Sequence, residues 1–415
     1  MGAGGLHLLL FLFLKGIYYM KKVRRILLLI LLTSIIFLSS CIEGKIDTSS
    51  EYNFETDCQY YNYFAGAYYL AEGEDGYYYE ENGFLRFIDK NSMQSVVLCN
   101  KPECLHDQMN TNIVEELSKC NAYVGAIYDR CLHYYKGNLY ALVKNYSSSQ
   151  SSFARSLVRI SLDGTQRKTV WDFSIGHLDL PGIPVFSTIH RGRYYTVIQE
   201  NGENGSFSTI LSFDLSTKKT KQIYQSDRYV GGVFALGDYL YFSCADEENT
   251  RTDIQAYCIS SGKLKEEEYC KNILPFGNQL FRYYYCMDYE KEEATHWTTT
   301  TDRNGENKQD YTLFQVGEVA PRMLKYLQCD GKNLYVRDGF DGTEIRTYDF
   351  LTGKWLATIE VPKEFQNTLH FVSCTTDGKL IIYATDNERV YQFCYCNISS
   401  IGTPDFQWYE GEKVN

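Results

Sequence analysis

One unit recurs along this chain and limits what it can fold into. A Gly-containing turn precedes an aromatic, alternating strand. After a polar loop a second strand ends near Asp or Ser, and a further turn leads to a third strand. The copies start at Asp75-Gly76, Lys136-Gly137, Arg191-Gly192, Leu236-Gly237, Phe276-Gly277, Asp330-Gly331 and Asp377-Gly378. Their second strands include 84–89, 157–164, 210–216, 255–262, 345–353 and 390–393, and the copy at Phe276-Gly277 is the weakest. Successive turn glycines stand roughly 40 to 60 residues apart, the length of one four-stranded blade with loop insertions. A fourth strand is read in the short run before each turn glycine, such as 182–187 or 369–373. The expectation is an all-β chain: a seven-bladed β-propeller of four-stranded antiparallel blades over residues 59–412. Six or eight blades stay open because of the poor fifth copy.

The strand assignments rest on alternation. In Asn333-Leu334-Tyr335-Val336-Arg337 the apolar and polar positions switch faces, as a half-buried strand requires. Asp-Gly pairs mark tight hairpins. The 37 Tyr fit the same picture. They serve as strand residues with an apolar ring and a polar tip, and this reading stands ahead of carbohydrate stacking. Blades bury their faces on one another, so one core covers residues 59–412.

The first forty residues have a different character. They carry Lys15, Lys21, Lys22, Arg24 and Arg25 and no acid. Met20 to Arg25 is a short positive segment, and 26–38 is an apolar run too short to span a bilayer in comfort but suited to an export leader. Leu38-Ser39-Ser40-Cys41 follows, which resembles the lipobox of bacterial lipoproteins. That resemblance implies a covalent diacylglycerol on Cys41 and cleavage before it, with acyl chains holding the product at the membrane. Residues 1–40 are then the leader, with Met20 the better start, and 41–58 a polar, lipidated tether. The implied location is the extracytoplasmic face of a bacterial cell membrane. An uncleaved anchor with an incidental Cys is the alternative.

Net charge is −11, and removing the five leader cations takes it to −16. A surface this acidic excludes a general nucleic-acid binder, which needs basic groups to displace counterions. The repeats, with a first strand such as Gly237-Asp238-Tyr239-Leu240-Tyr241-Phe242 and, after it in each unit, a strand whose end has the pattern seen at Asp214-Leu215-Ser216 or Leu162-Asp163-Gly164, resemble those of bacterial lipoproteins with TolB-like and low-density-lipoprotein-receptor-related-protein-like propellers. The resemblance spans most of 59–412 and implies a rigid propeller on a lipid tether, with little about activity.

One constellation carries chemistry. Cys99, Cys104 and His106 are followed by Cys120, all within an insert at 99–120 between the first two copies. Three thiols and an imidazole are the ligands of a tetrahedral Cys3His zinc site. The spacing is not that of a Cys-x2-Cys knuckle. Disulfides and free thiols stay open, because thirteen cysteines remain after Cys41, an odd number. Cys244, Cys258, Cys286, Cys374, Cys394 and Cys396 fall inside strands and are expected to be small apolar fillers. His133, His177, His190, His296 and His370 have no ligand partners at readable spacing.

The chain has no nucleophile elbow, zinc-protease helix motif, phosphate loop or dinucleotide fingerprint. The sequence therefore assigns no catalytic residue. The leading expectation is a membrane-anchored binding or scaffold module for a peptide, glycan or envelope protein. The alternative is an extracytoplasmic enzyme acting on glycans or peptides from carboxylates or histidines in the axial channel. A third reading takes the Cys/His insert as a metal or redox sensor.

Overall fold

The computed structural model describes Ser49, residues 51–59 and residues 70–413, apart from 105, 107–116, 118, 126, 145–154, 174–182, 203–204, 246–251, 267–271, 277–278, 289–292, 303–306, 313–323, 339–342, 351, 367–368 and 386–390. All of these belong to the compact unit Thr48–Asn415. The leader and Cys41 lie outside the described residues.

Seven sheets follow one another along the chain, each built on four consecutive antiparallel strands, the first gaining a fifth from the C-terminal end of the chain. They span 71–97, 127–172, 183–226, 230–266, 272–312, 324–360 and 369–410, and form blades 1 to 7. This is the expected seven-bladed propeller of four-stranded blades. The fifth copy, weakest in sequence, is a full blade of Asn272–Phe276, Gln279–Asp288, Glu293–Asp302 and Gln309–Thr312.

The blade boundary differs from the sequence reading by one strand. The repeated glycine joins the first strand of a blade to its second; the run before it opens a blade rather than ending one. Ile183–His190 pairs with Arg193–Gly202 across Arg191-Gly192. Both turn residues are left-handed, Arg191 at φ 48° and Gly192 at φ 83°. A two-residue turn of this hand matches the strand twist and connects neighbours within one sheet. The Asp that ends a third strand closes the next turn. Asp89 accepts the N–H groups of Asn91 and Ser92, and Asp214 those of Ser216 and Thr217. The Ser92 N–H leads the donors that hold Asp89 below the ordinary carboxylate range.

First strands of neighbouring blades touch one another, so they are innermost. Fourth strands alternate towards solvent, as in Trp355–Glu360, where Ala357 and Ile359 point inward. Between blades the side chains form shared cores. Leu85 of blade 1 packs with Leu139, Val158 and Ile160 of blade 2, and Val197 and Ile210 of blade 3 with Leu240 and Phe242 of blade 4. Tyr77, Tyr79, Tyr194, Tyr195, Tyr241 and Tyr335 are fully buried here, in the structural role expected of them.

Blade 7 closes on blade 1 without exchanging a complete strand. Tyr77, Tyr79 and Ile88 pack against Ile381, Tyr383 and Phe393. The Tyr79 and Tyr383 rings meet edge-on with centroids 5.1 Å apart. The Tyr77 hydroxyl donates to Asp377 Oδ1 at 2.5 Å. Glu72, fully buried, accepts the Thr376 N–H at 3.0 Å and pairs with Lys90 Nζ at 2.8 Å. At the rim the chain passes Gly411, where any Cβ would strike the Phe393 ring, and Glu412–Lys413 adds in parallel to the outer strand Gln94–Val97.

Glu72→Ala removes a buried acceptor of Lys90 and of the Thr376 N–H at the seam between blades 7 and 1. Breaking a buried pair from one side costs about 3–5 kcal/mol. Urea denaturation should show a loss of this size. A loss under about 1 kcal/mol, the scale of a surface pair, would mean that the aromatic contacts close the ring alone.

Candidate functional site

Strand direction alternates, so each blade has two kinds of connection. Turns between first and second and between third and fourth strands lie at one end of the barrel of strands, the hairpin end. Connections between second and third strands and between blades lie at the other, the loop end. The insert follows the last strand of blade 1 and so leaves at the loop end.

There the fold brings together all four residues that the sequence singled out. The Sγ atoms of Cys99, Cys104 and Cys120 and a ring nitrogen of His106 lie within 4.8 Å of one another. Cys120 Sγ is 3.9 Å from His106 Nδ1. Cys120 is buried and the other three are partly buried. The supports are local. Cys104 N–H closes a turn on Lys101 O at 3.1 Å, and Cys120 N–H one on Leu117 O at 2.9 Å. The returning strand locks onto blade 1, where Leu85 N–H donates to Ala122 O at 2.9 Å and Val124 N–H to Gly83 O at 2.8 Å. Leu98, Leu117, Ala122 and Val124 fill the core shared by blades 1 and 2.

The three thiols are not equivalent. Burial opposes ionisation of Cys99, but the N–H groups of Lys101 and Asn121 and the thiols of Cys120 and Cys104 outweigh it and hold it below the ordinary thiol value. Burial, then Cys120 and Cys99, pushes Cys104 up to about 12. Burial also raises Cys120, against the Ala122 N–H. The ten cysteines whose side chains the structure describes are free thiols.

The hairpin end holds a feature that the sequence did not disclose. Residues 51–58, assigned to the tether, are packed on the propeller. Lys136 N–H donates to Glu55 O and Arg191 N–H to Thr56 O, so the segment crosses the first hairpins of blades 2 and 3. Asp57, 4% exposed, binds the Arg191 guanidinium at 2.8 and 3.1 Å. Cys58 packs among Val233, Phe234 and Leu236 of blade 4, and Gln59 exchanges two hydrogen bonds with the backbone of Glu72 in blade 1. Polar composition suggested a tether; partners about 130 positions away hold it.

Two of the histidines without readable partners find them across blades. His190 is buried, with Nδ1 accepting the Cys58 N–H at 3.2 Å and Nε2 donating to Gly237 O at 2.7 Å. His133, on the inner strand of blade 2, meets Ser187 of blade 3 at 2.9 Å through Nε2. His177 lies outside the described residues. Among inner-strand side chains that the structure describes, Glu72 is the one carboxylate, and it is committed to ring closure. The outer rim carries a groove of about 590 Å3 between blades 6 and 7, lined by Glu360, Lys363, Glu364, Phe406, Gln407 and Trp408 among others.

No protein-family model matches the chain, and no curated protein matches it in sequence. Solved structures do. A prolyl endopeptidase matches with a TM-score of 0.53 and 12% identity over 89% of this chain and 52% of its own. An acylaminoacyl peptidase, solved with a peptidyl chloromethyl ketone, matches at 0.50 and 10% identity over 84% of this chain and 52% of its own. Oligogalacturonate lyase from Vibrio parahaemolyticus gives 0.49 and 12% identity, covering 83% of this chain and 91% of its own. The chain spans about half the length of the two peptidases. At such identities the likeness to the peptidases shows a shared β-propeller fold.

Desolvation pushes the His133 imidazole down from 6.5 to about 3. The unfolded chain binds this proton near pH 6.5, and the folded chain only near 3. Stability is therefore complete above 6.5 and is lost as pH falls towards 3. His133→Gln should flatten the decline between pH 6.5 and about 5, above the range of most carboxylates. Denaturation midpoints across that range, unchanged in the variant, would show that His133 is protonated in the fold.

Proposed function

We propose that this chain is a membrane-anchored extracytoplasmic lipoprotein whose propeller is a binding module for a peptide, glycan or envelope protein, engaged at the loop end. The observation that carries this reading is the asymmetry between the two ends. The hairpin end has tight turns such as 136–137 and 191–192, and residues 51–59 lie across it. The loop end receives the long connections, among them 98–126, 145–154, 173–182 and 313–323. Long connections on a rigid scaffold are where recognition residues gather.

The lipobox-like Leu38-Ser39-Ser40-Cys41 supports the anchor. Residues 42–50 can extend about 30 Å at most. A lipid on Cys41 thus keeps the hairpin end on the membrane side, because residue 51 begins the segment packed there. The loop end then faces away from the membrane. Among the described inner-strand side chains Glu72 is paired with Lys90, His133 meets Ser187, and His190 holds Cys58 and Gly237, so the axial enzyme reading draws no support from them.

Two measurements test this. Growth with a clickable fatty acid should label the protein, and Cys41→Ser should abolish the label and free the chain from the membrane fraction; label that survives the substitution overturns the anchor. Cells displaying the full chain should then be screened with glycan arrays, peptide libraries and envelope pull-downs. A ligand retained by Lys363→Ala with Gln407→Ala in the rim groove, but weakened tenfold or more when 147–152 is deleted, places recognition at the loop end. Loss in the groove variant alone moves the site to the rim, and empty screens remove the binding reading.

A further inference from the structure

We propose that Cys99, Cys104, His106 and Cys120 bind one zinc ion, which latches the insert to blades 1 and 2. The donor set fits this metal in kind and number. Three thiolates and one imidazole complete a tetrahedron, the closed arrangement of a structural zinc site. Their mutual separations, all within 4.8 Å, bring every donor to the edge of one small polyhedron. A disulfide would use two of the sulfurs and leave the third thiol and the imidazole gathered there for no purpose.

The insert's own folding holds the donors in place. Cys104 N–H closes a turn on Lys101 O at 3.1 Å, Cys120 N–H closes one on Leu117 O at 2.9 Å, and Cys120 Sγ lies 3.9 Å from His106 Nδ1. Backbone contacts that fix the ligands in this way are what a structural metal site needs around it.

Charge supports the same assignment. Zinc with three thiolates and a neutral imidazole carries one net negative charge. Arg167 of blade 2 reaches across to donate to Tyr123 O, and Lys101 Nζ donates to Lys119 O at 2.5 Å, so two cations flank the cluster. Arg167 also ties the insert to the outer strand of blade 2, while Ala122 and Val124 tie it to blade 1. An ion at the cluster therefore fixes one connection at the loop end to two blades. This inference stands whether or not Cys41 carries lipid.

The test uses the full chain, extracted in detergent and purified without chelator. Elemental analysis should find one zinc per chain, and Cys104→Ser or His106→Ala should lower occupancy at least tenfold. His106→Cys, which keeps four ligands, should retain it. Exchange into cobalt(II) on the unsubstituted protein should give the intense bands of a tetrahedral thiolate site, displaced by zinc, so the proposal stays testable where a variant fails to fold. Stripping the zinc should speed hydrogen exchange at the Leu85 and Val124 amides about tenfold or more. A chain without zinc and without the cobalt bands, whether Cys99, Cys104 and Cys120 are found in disulfides or as free thiols, overturns the proposal. Zinc that persists in both Cys104→Ser and His106→Ala does so too.

Discussion

Everything in this propeller depends on closing the ring between the last blade and the first. Each blade buries its faces on its neighbours, so an open seam would expose two hydrophobic faces at once. This chain builds the four antiparallel strands of every blade from consecutive segments, so the seam is closed by other contacts. It uses a buried aromatic contact, a buried Glu72–Lys90 pair tied to Thr376, and the short parallel strand Glu412–Lys413 at the rim. The three act at different radii. Glu72 belongs to an innermost strand, Tyr79 and Tyr383 meet in the middle, and the final strand spans the outside.

The same closure explains why residues 51–59 cannot be a passive leash. Gln59 holds the backbone of Glu72, and Glu72 holds blade 7 through Thr376. Asp57 and Cys58 hold blade 3 through Arg191, Thr188 and His190. The segment therefore links the seam to the opposite side of the ring across the hairpin end. A pull on the chain before residue 51 would load blades 1 to 4 together, rather than peel one strand from an edge.

Legibility in the sequence followed interaction range. Hairpin glycines, strand alternation and the Asp-capped turns are local signals, and they gave the seven blades and their all-β character. The boundary slipped by one strand because a turn glycine marks a hairpin without saying which of its strands begins the sheet. Blade 5 read poorly, since no matching second strand was legible after its first turn, Phe276-Gly277-Asn278-Gln279, yet Leu280 on its second strand joins the core of blade 4. Asp57, Cys58, His133 and His190 were unreadable for the opposite reason: the partners that tie them across blades lie 47 or more positions away. The Cys/His cluster was visible because all four members fall within one insert.

The cysteines divide by environment, which changes what their odd number means. Cys58, Cys244, Cys329, Cys374, Cys394 and Cys396 are buried thiols in the blade cores. Burial pushes Cys58 up to about 11 and Cys396 to about 12, and raises Cys329, Cys374 and Cys394 further. Reactivity belongs to the thiolate, so these sites are inert fillers, as expected from strand position for Cys244, Cys374, Cys394 and Cys396. Cys394 and Cys396 share one apolar cluster with Cys374 and remain unbonded. Cys258 differs, half-exposed at a strand end with its sulfur 3.3 Å from Asp238 Oδ2. At Cys99, by contrast, backbone donors oppose burial and win. Parity among thirteen cysteines loses its force once six of them are buried core thiols outside any disulfide. The chemistry of this chain's sulfur, among the described residues, concentrates in the one place where three thiols and an imidazole share a few ångströms.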